Sequence, residues 1–161
     1  MLLDLKENLK LFITSPVLLA CLSSWFGAQF IKTLIFLLSR KIHSVGELVE
    51  AMLWRTGGMP SSHSAIVTSL STTIAFRNGL NSDLFMISLV FFLVVIRDAF
   101  GVRRSSGIQA KKINELGKNL KENNLLKEFN PIKEVDGHTP MQVMLGCVLG
   151  FIVGLAFSLL K

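Results

Sequence analysis

Two histidines sit in short turns rich in glycine, proline and hydroxyl residues: Gly57-Gly58-Met59-Pro60-Ser61-Ser62-His63 and Asp136-Gly137-His138-Thr139-Pro140. Between them lies a third polar cluster, Arg97-Asp98-Ala99-Phe100-Gly101-Val102-Arg103-Arg104. Two imidazoles can divide a phosphoryl transfer, one attacking phosphorus as the neutral ring and the other protonating the departing alkoxide. An unperturbed imidazole pKa of about 6.5 serves both tasks. Cationic side chains would then hold the remaining phosphate oxygens, because the transfer needs mainly positioning and charge.

The turns themselves favour an anion. A helix start presents unbonded N–H groups and the positive end of the helix dipole. Pro60-Ser61-Ser62-His63 has the composition of such a start, with Gly58 allowing close approach and Ser61 and Ser62 able to cap. Asp136-Gly137-His138-Thr139-Pro140 repeats the design, with Thr139 suited to the cap and Pro140 to the first helical position. The candidate catalytic residues are therefore His138 and His63, and the candidate phosphate ligands are Lys32, Arg97, Arg103, Arg104, Gly58, Ser61 and Ser62.

The elements that must position these residues belong to a membrane. Half of the 161 residues are hydrophobic and only 17% are charged, a balance that departs from soluble domains. The expected fold is all-α: a polytopic membrane helix bundle with about four spans plus amphipathic surface helices, forming a single domain over 1–161. The net charge of +6 points to anionic lipid headgroups, since no DNA- or RNA-binding motif accompanies the basic residues and no nucleic-acid partner is expected. Cys21 and Cys147 lie in apolar runs and read as small core residues, not as a disulfide, metal or redox pair. No metal or cofactor is expected. The N-terminus lacks a basic region ahead of a short apolar stretch, so no removable signal is expected.

Residues 1–15 interleave Leu2, Leu5, Leu9 and Phe12 with Asp4, Lys6, Glu7 and Lys10, the pattern of an amphipathic surface helix. The stretch 16–38 is long enough to cross about 30 Å of hydrocarbon. A short amphipathic piece over 45–54 precedes the first histidine turn. The second span, 60–76, is rich in Ser and Thr and suits a helix buried among others. The third runs over 84–102, a polar loop or surface helix over 103–136 follows, and the last span is 141–160. Gly146, Gly150 and Gly154 recur every fourth residue in that last span, a stripe that lets helix backbones approach and offers a route to a homodimer.

Charge sets the orientation. The loops at 39–59 and 103–136 hold Arg40, Lys41, Arg55, Arg103, Arg104, Lys111, Lys112, Lys118, Lys121, Lys127 and Lys133, whereas the opposite side holds only Lys6, Lys10, Arg77 and Lys161. The first set belongs in the cytoplasm. With alternating spans, Lys32, His63, the stretch Arg97 to Arg104 and His138 converge on that face of a bacterial-type plasma membrane.

These runs resemble the divergent branch of the type 2 phosphatidic acid phosphatase and vanadium haloperoxidase superfamily. The resemblance is carried by Gly-Gly-Met-Pro-Ser-Ser-His-Ser-Ala at 57–65, by Arg-Asp-Ala-Phe-Gly-Val-Arg-Arg at 97–104 with Gly107, Gln109 and Ala110, and by Gly-His-Thr-Pro at 137–140. It implies that His138 is the nucleophile, transiently phosphorylated, and His63 the general acid, with Ser62 where the superfamily has glycine. Lys32 matches the lysine of the superfamily's first motif, although the following Arg-Pro is replaced by Ser39-Arg40. Pro131-Ile132 stand where Ser-Arg is usual. Gln142 stands four residues after the nucleophile, where an aspartate is usual, so Gln142, Asp136 or Asp98 is expected to orient His138. The resemblance implies a metal-independent phosphatase acting on a lipid phosphate such as phosphatidylglycerol phosphate or phosphatidic acid. The alternative is a non-catalytic membrane protein that binds phosphate or anionic lipid.

Overall fold

The computed structural model describes residues 2–39, 44–53, 58–134 and 137–160. Among them every regular element is a helix: α1 (Leu2–Ile13), α2 (Pro16–Leu38), α3 (Val45–Leu53), α4 (Ser62–Asn78), α5 (Asp83–Phe100), α6 (Val102–Glu122) and α7 (Pro140–Ser158). Local chemistry sets the boundaries. Pro16 and Pro140 occupy first-turn positions, where the missing N–H costs nothing. Helix α4 begins two residues later than its composition predicts because Ser61 is its cap, the hydroxyl accepting the Ser64 N–H. Ser82 caps α5 in the same way through the Phe85 N–H. Helix α5 stops at Phe100, two residues short of the expected end, and Gly101 joins it to α6.

Among the described residues, three segments are long and apolar enough to cross a membrane: Pro16–Leu38, the run Asp83–Glu122 and Pro140–Ser158. The fourth helix of the bundle, α4, is the polar one, and it packs against α2, α5 and α7 together. The core is accordingly small and hydroxylic. Ala20, Ser24, Ala28, Ser64, Ala65, Ser69 and Thr73 are fully buried, whereas Phe30, Ile87, Val90, Leu93 and Ile152 face outward. Large apolar side chains outside and small residues inside are what lipid as solvent selects.

Polar groups inside such a bundle must be bonded within it. Thr73 donates to Ser69 O (2.8 Å) and lies 3.2 Å from Gly154 O, and Ser71 donates to Ser88 O at 2.9 Å. The glycine stripe of α7 is consumed in the same interface. A Cβ at Gly146 would strike Ser61 O, at Gly150 Ala65 O, and at Gly154 Ser69 O. Helix α4 covers the stripe within the chain, because only glycine lets the two backbones meet.

Helices α4 and α7 run in the same direction. At one end the Ser61 N–H donates to Gln142 O (2.9 Å), and at the other Arg77 Nη1 donates to Leu160 O (2.8 Å). Helices α2 and α5 run opposite to them, since the late α2 residue Lys32 lies against Gly58. On α5, the early residue Ser88 meets Ser71, which lies in the later half of α4. The end of α2, the start of α4, the end of α5 and the start of α7 therefore share one end of the bundle, as the alternation of spans predicts.

In the polar segment, α6 is one long helix, followed over 123–134 by an irregular strap. Asn114 is the clamp: its side chain donates to Ile132 O and to Glu134 Oε1 and accepts from Ile132 N–H, each at 2.8 Å. Gly117 leaves room for the ring of Phe129, which a Cβ there would overlap.

Candidate active site

His63 and His138 line one cavity of about 210 Å³ together with Val94, Val95, Asp98 and Ala99. His63 projects from the first turn of α4, His138 from the turn just before α7, and the other four residues from the last part of α5. Residues 94, 95, 98 and 99 fall on one helix face by their three- and four-residue spacing. The walls are thus two imidazoles, one carboxylate and small or branched apolar groups, enough room for a tetrahedral oxyanion with apolar surroundings on one side.

The turn that carries His138 is held from three directions. Thr139 and Gln142 form a capping box: the Thr139 hydroxyl accepts the Gln142 N–H at 3.4 Å, and Gln142 Oε1 accepts the Thr139 N–H at 2.9 Å. The same Oε1 lies 3.3 Å from His138 Nδ1. Gly137 is pressed against the backbone of Arg104, so that any Cβ there would collide with it. The start of α6 and the start of α7 are therefore locked together beside the cavity.

His63 is fixed from below. Ser61 is fully buried beneath α7, and its hydroxyl accepts from both Ser64 N–H (3.4 Å) and Ser64 Oγ (2.9 Å). Ser62 is buried as well. Ser61, expected as a phosphate ligand, thus serves as the helix cap, and its contacts are with the protein.

The candidate cations are distributed unevenly. Lys32 is only 1% exposed and donates from Nζ to Gln29 Oε1 at 2.8 Å. Its aliphatic stem and the Phe36 ring underlie Gly58, which adopts φ +81°, a conformation natural only to glycine. Arg97, in the last turn of α5, and Arg104, in the first turn of α6, are exposed at the same end of the bundle. Lys32, Arg97 and Arg104 are not among the described residues that line the cavity. Arg103 is placed by its backbone alone, and Asp136 lies outside the described residues.

Of the three residues expected to orient the nucleophile, Gln142 touches the ring and Asp98 shares the cavity. The sequence reading missed Gln29, although a polar residue three positions before a buried lysine on a helix is the natural partner for it. It also missed Val94 and Val95, which lie four and three residues before Asp98, and Ala99, four residues after Val95, all on the cavity side.

A membrane helix bundle with two histidines at helix starts, facing a carboxylate across a small cavity, defines the class of this protein. The chain belongs to the Divergent PAP2 family, whose family model matches residues 13–153. It is also 38% identical over 157 residues to the uncharacterized membrane protein YuiD of Bacillus subtilis (strain 168), covering 91% of this chain and 96% of that one. No solved structure gives a significant match.

Proposed function

We propose that this protein is a lipid-phosphate phosphatase of the inner leaflet, hydrolysing a phosphomonoester such as phosphatidylglycerol phosphate or phosphatidic acid through a phosphohistidine. The observation that carries this reading is the shared cavity of His63 and His138. His138 attacks phosphorus through Nε2, forming the N–P bond as the ester P–O bond breaks. His63 delivers its proton to the departing alkoxide, and becomes the base that activates water for hydrolysis of the N–P bond.

Gln142 supports the nucleophile's tautomer. Its Oε1 accepts the Thr139 N–H, which identifies that atom as the amide oxygen, so a hydrogen bond to His138 requires Nδ1–H. Nε2 then carries the lone pair. Lys32, with Arg97, Arg103 and Arg104 at the cavity's end of the bundle, is assigned to the phosphate charge. The Lys and Arg asymmetry of the loops supports a cytoplasmic opening.

One observation favours the rival reading, a phosphate or anionic-lipid binder. The atom that orients His138 belongs to a neutral amide, which cannot stabilise a developing imidazolium as a carboxylate would. Phosphate release from a panel of lipid phosphates by the purified protein decides between them. Hydrolysis abolished by His138→Ala, with acid-labile phosphate trapped on His138, supports the enzyme. Vanadate or phosphate binding with neither turnover nor trapped phosphate would sink it.

A further inference from the structure

Helix α6 runs for about 30 Å at about 1.5 Å per residue, yet among the described residues it packs on no helix but α5, to which Gly101 joins it. The bundle therefore fixes only its first end. Its faces are unequal. Ala110, Asn114 and Gly117, spaced by four and three residues, are buried. The strap covers that face, with the Phe129 ring against Gly117 and Ile132 bonded to Asn114. Val102, Ile113 and Leu116 fall within about 60° of arc at about 100° per residue. That stripe is left open: Val102 is 64% exposed, Ile113 47% and Leu116 59%.

The charge beside the stripe is mostly of one sign. Residues 102–134 carry eight Lys and Arg against four Glu. Lys112 and Lys121, both exposed, lie on the two borders of the stripe, each about 70–110° of arc from its centre. A partner that offers hydrocarbon and negative charge together along the length of a helix is the surface of a bilayer containing anionic lipid. A second copy of α6 would set like charge against like charge. The end of the bundle from which α6 departs is also an end of the spans, so that surface lies beside it.

Helix α6 is tied to the histidine cavity. Asn114 holds the strap at Ile132 and Glu134, and past the strap Gly137 rests on the backbone of Arg104 in the first turn of α6. His138 is the next residue, and it lines the cavity. A tilt of α6 about Gly101 therefore moves the support of the His138 turn.

We propose that α6 and the strap form an arm that docks through the stripe of Val102, Ile113 and Leu116 on the anionic leaflet at the histidine end of the bundle, and that docking holds the His138 turn in place. Anionic lipid is then a regulator bound outside the cavity, distinct from the substrate bound within it. Such a surface shifts the arm because it binds the docked position better than the undocked one. Docking is independent of the hydrolase reading, and its effect on turnover rests on that reading.

The test is hydrogen exchange of the whole protein in nanodiscs of phosphatidylcholine alone or mixed with phosphatidylglycerol, with no substrate added. Amides of α6 and of residues 137–143 should exchange about tenfold more slowly in the mixed discs, the factor given by a modest shift toward the docked state. Amides of α2 should not change. Lys112→Gln combined with Lys121→Gln, which weakens the attraction about fivefold per lysine, should remove the difference at both places, as should raised salt. Equal exchange of α6 in the two lipids overturns the docking. Slowing of α6 with residues 137–143 unchanged overturns its hold on the site. Slowing at 137–143 that survives the lysine substitutions would put the lipid in the cavity itself, and slowing confined to discs holding two copies would give the stripe to a second chain; either overturns the proposal. Because no turnover is read, a lipid panel that releases no phosphate would defeat the hydrolase reading and leave the docking arm standing.

Discussion

The amide oxygen of Gln142 bridges the backbone N–H of Thr139 and Nδ1 of His138, at 2.9 Å and 3.3 Å. One side chain therefore both closes the capping box of α7 and sets the tautomer of the histidine before it. Gln142→Glu keeps an acceptor for both groups but places an anion beside the ring. An adjacent anion favours the imidazolium, and the attacking ring must be neutral, so the acid limb of the kcat/KM profile should move to higher pH. Gln142→Ala should lower kcat without that displacement. A profile for Gln142→Glu superimposable on that of the native protein would show that the amide does not act on His138.

Thr139→Val removes the hydroxyl that accepts the Gln142 N–H while preserving the shape. Loss of an N-cap costs about 1 kcal/mol, visible as a lower thermal midpoint in detergent. Thr139→Ser should restore it. Because Gln142 then loses half of its reciprocal pair, activity should fall in the Val variant more than the stability change explains.

Lys32 is buried against a neutral partner, Gln29. Lys32→Met removes a cation that has no described carboxylate partner, so folding should be retained or improved. Phosphate affinity should drop about 10- to 100-fold, the ratio given by losing a charged hydrogen bond of about 1.5–3 kcal/mol. Thermal stabilisation by orthovanadate, measured across a concentration series, reports this directly. Undiminished stabilisation would remove Lys32 from the phosphate site.

Gly150 meets the Ala65 carbonyl so closely that no Cβ fits. Gly150→Val should separate α7 from α4 and cost at least about 1–3 kcal/mol by overpacking. The loss should appear in unfolding midpoints and in faster proteolysis, whatever the protein concentration. A concentration-dependent loss would instead return the stripe to a role between chains.

Asn114→Ala breaks all three bonds that hold the strap at Ile132 and Glu134. Cleavage between residues 123 and 134 should become faster under limited proteolysis, with the bundle intact. Since the strap leads into Gly137 and His138, kcat should also decline.

Much of this molecule is legible in the chain itself. The length and apolarity of 16–38 and 141–160 dictate two spans in any membrane setting, and the bounds of α2 match the reading residue for residue. Thr139 and Pro140 announce the start of α7 because cap and first-turn preferences are local. The alternation of spans, with Lys and Arg counted on each side, already places both histidines at one end.

What the sequence could not supply depends on which faces meet. The four-residue glycine period serves equally well within a chain or between two, and only the packing of α4 on α7 assigns it. Ser61 and Ser62 look alike as phosphate ligands until Ser61 is seen capping α4 beneath Gly146. Arg97 and Asp98 are neighbours in sequence, but a helix turns each residue about 100° from the last. The structure puts Asp98 in the cavity and leaves Arg97 exposed.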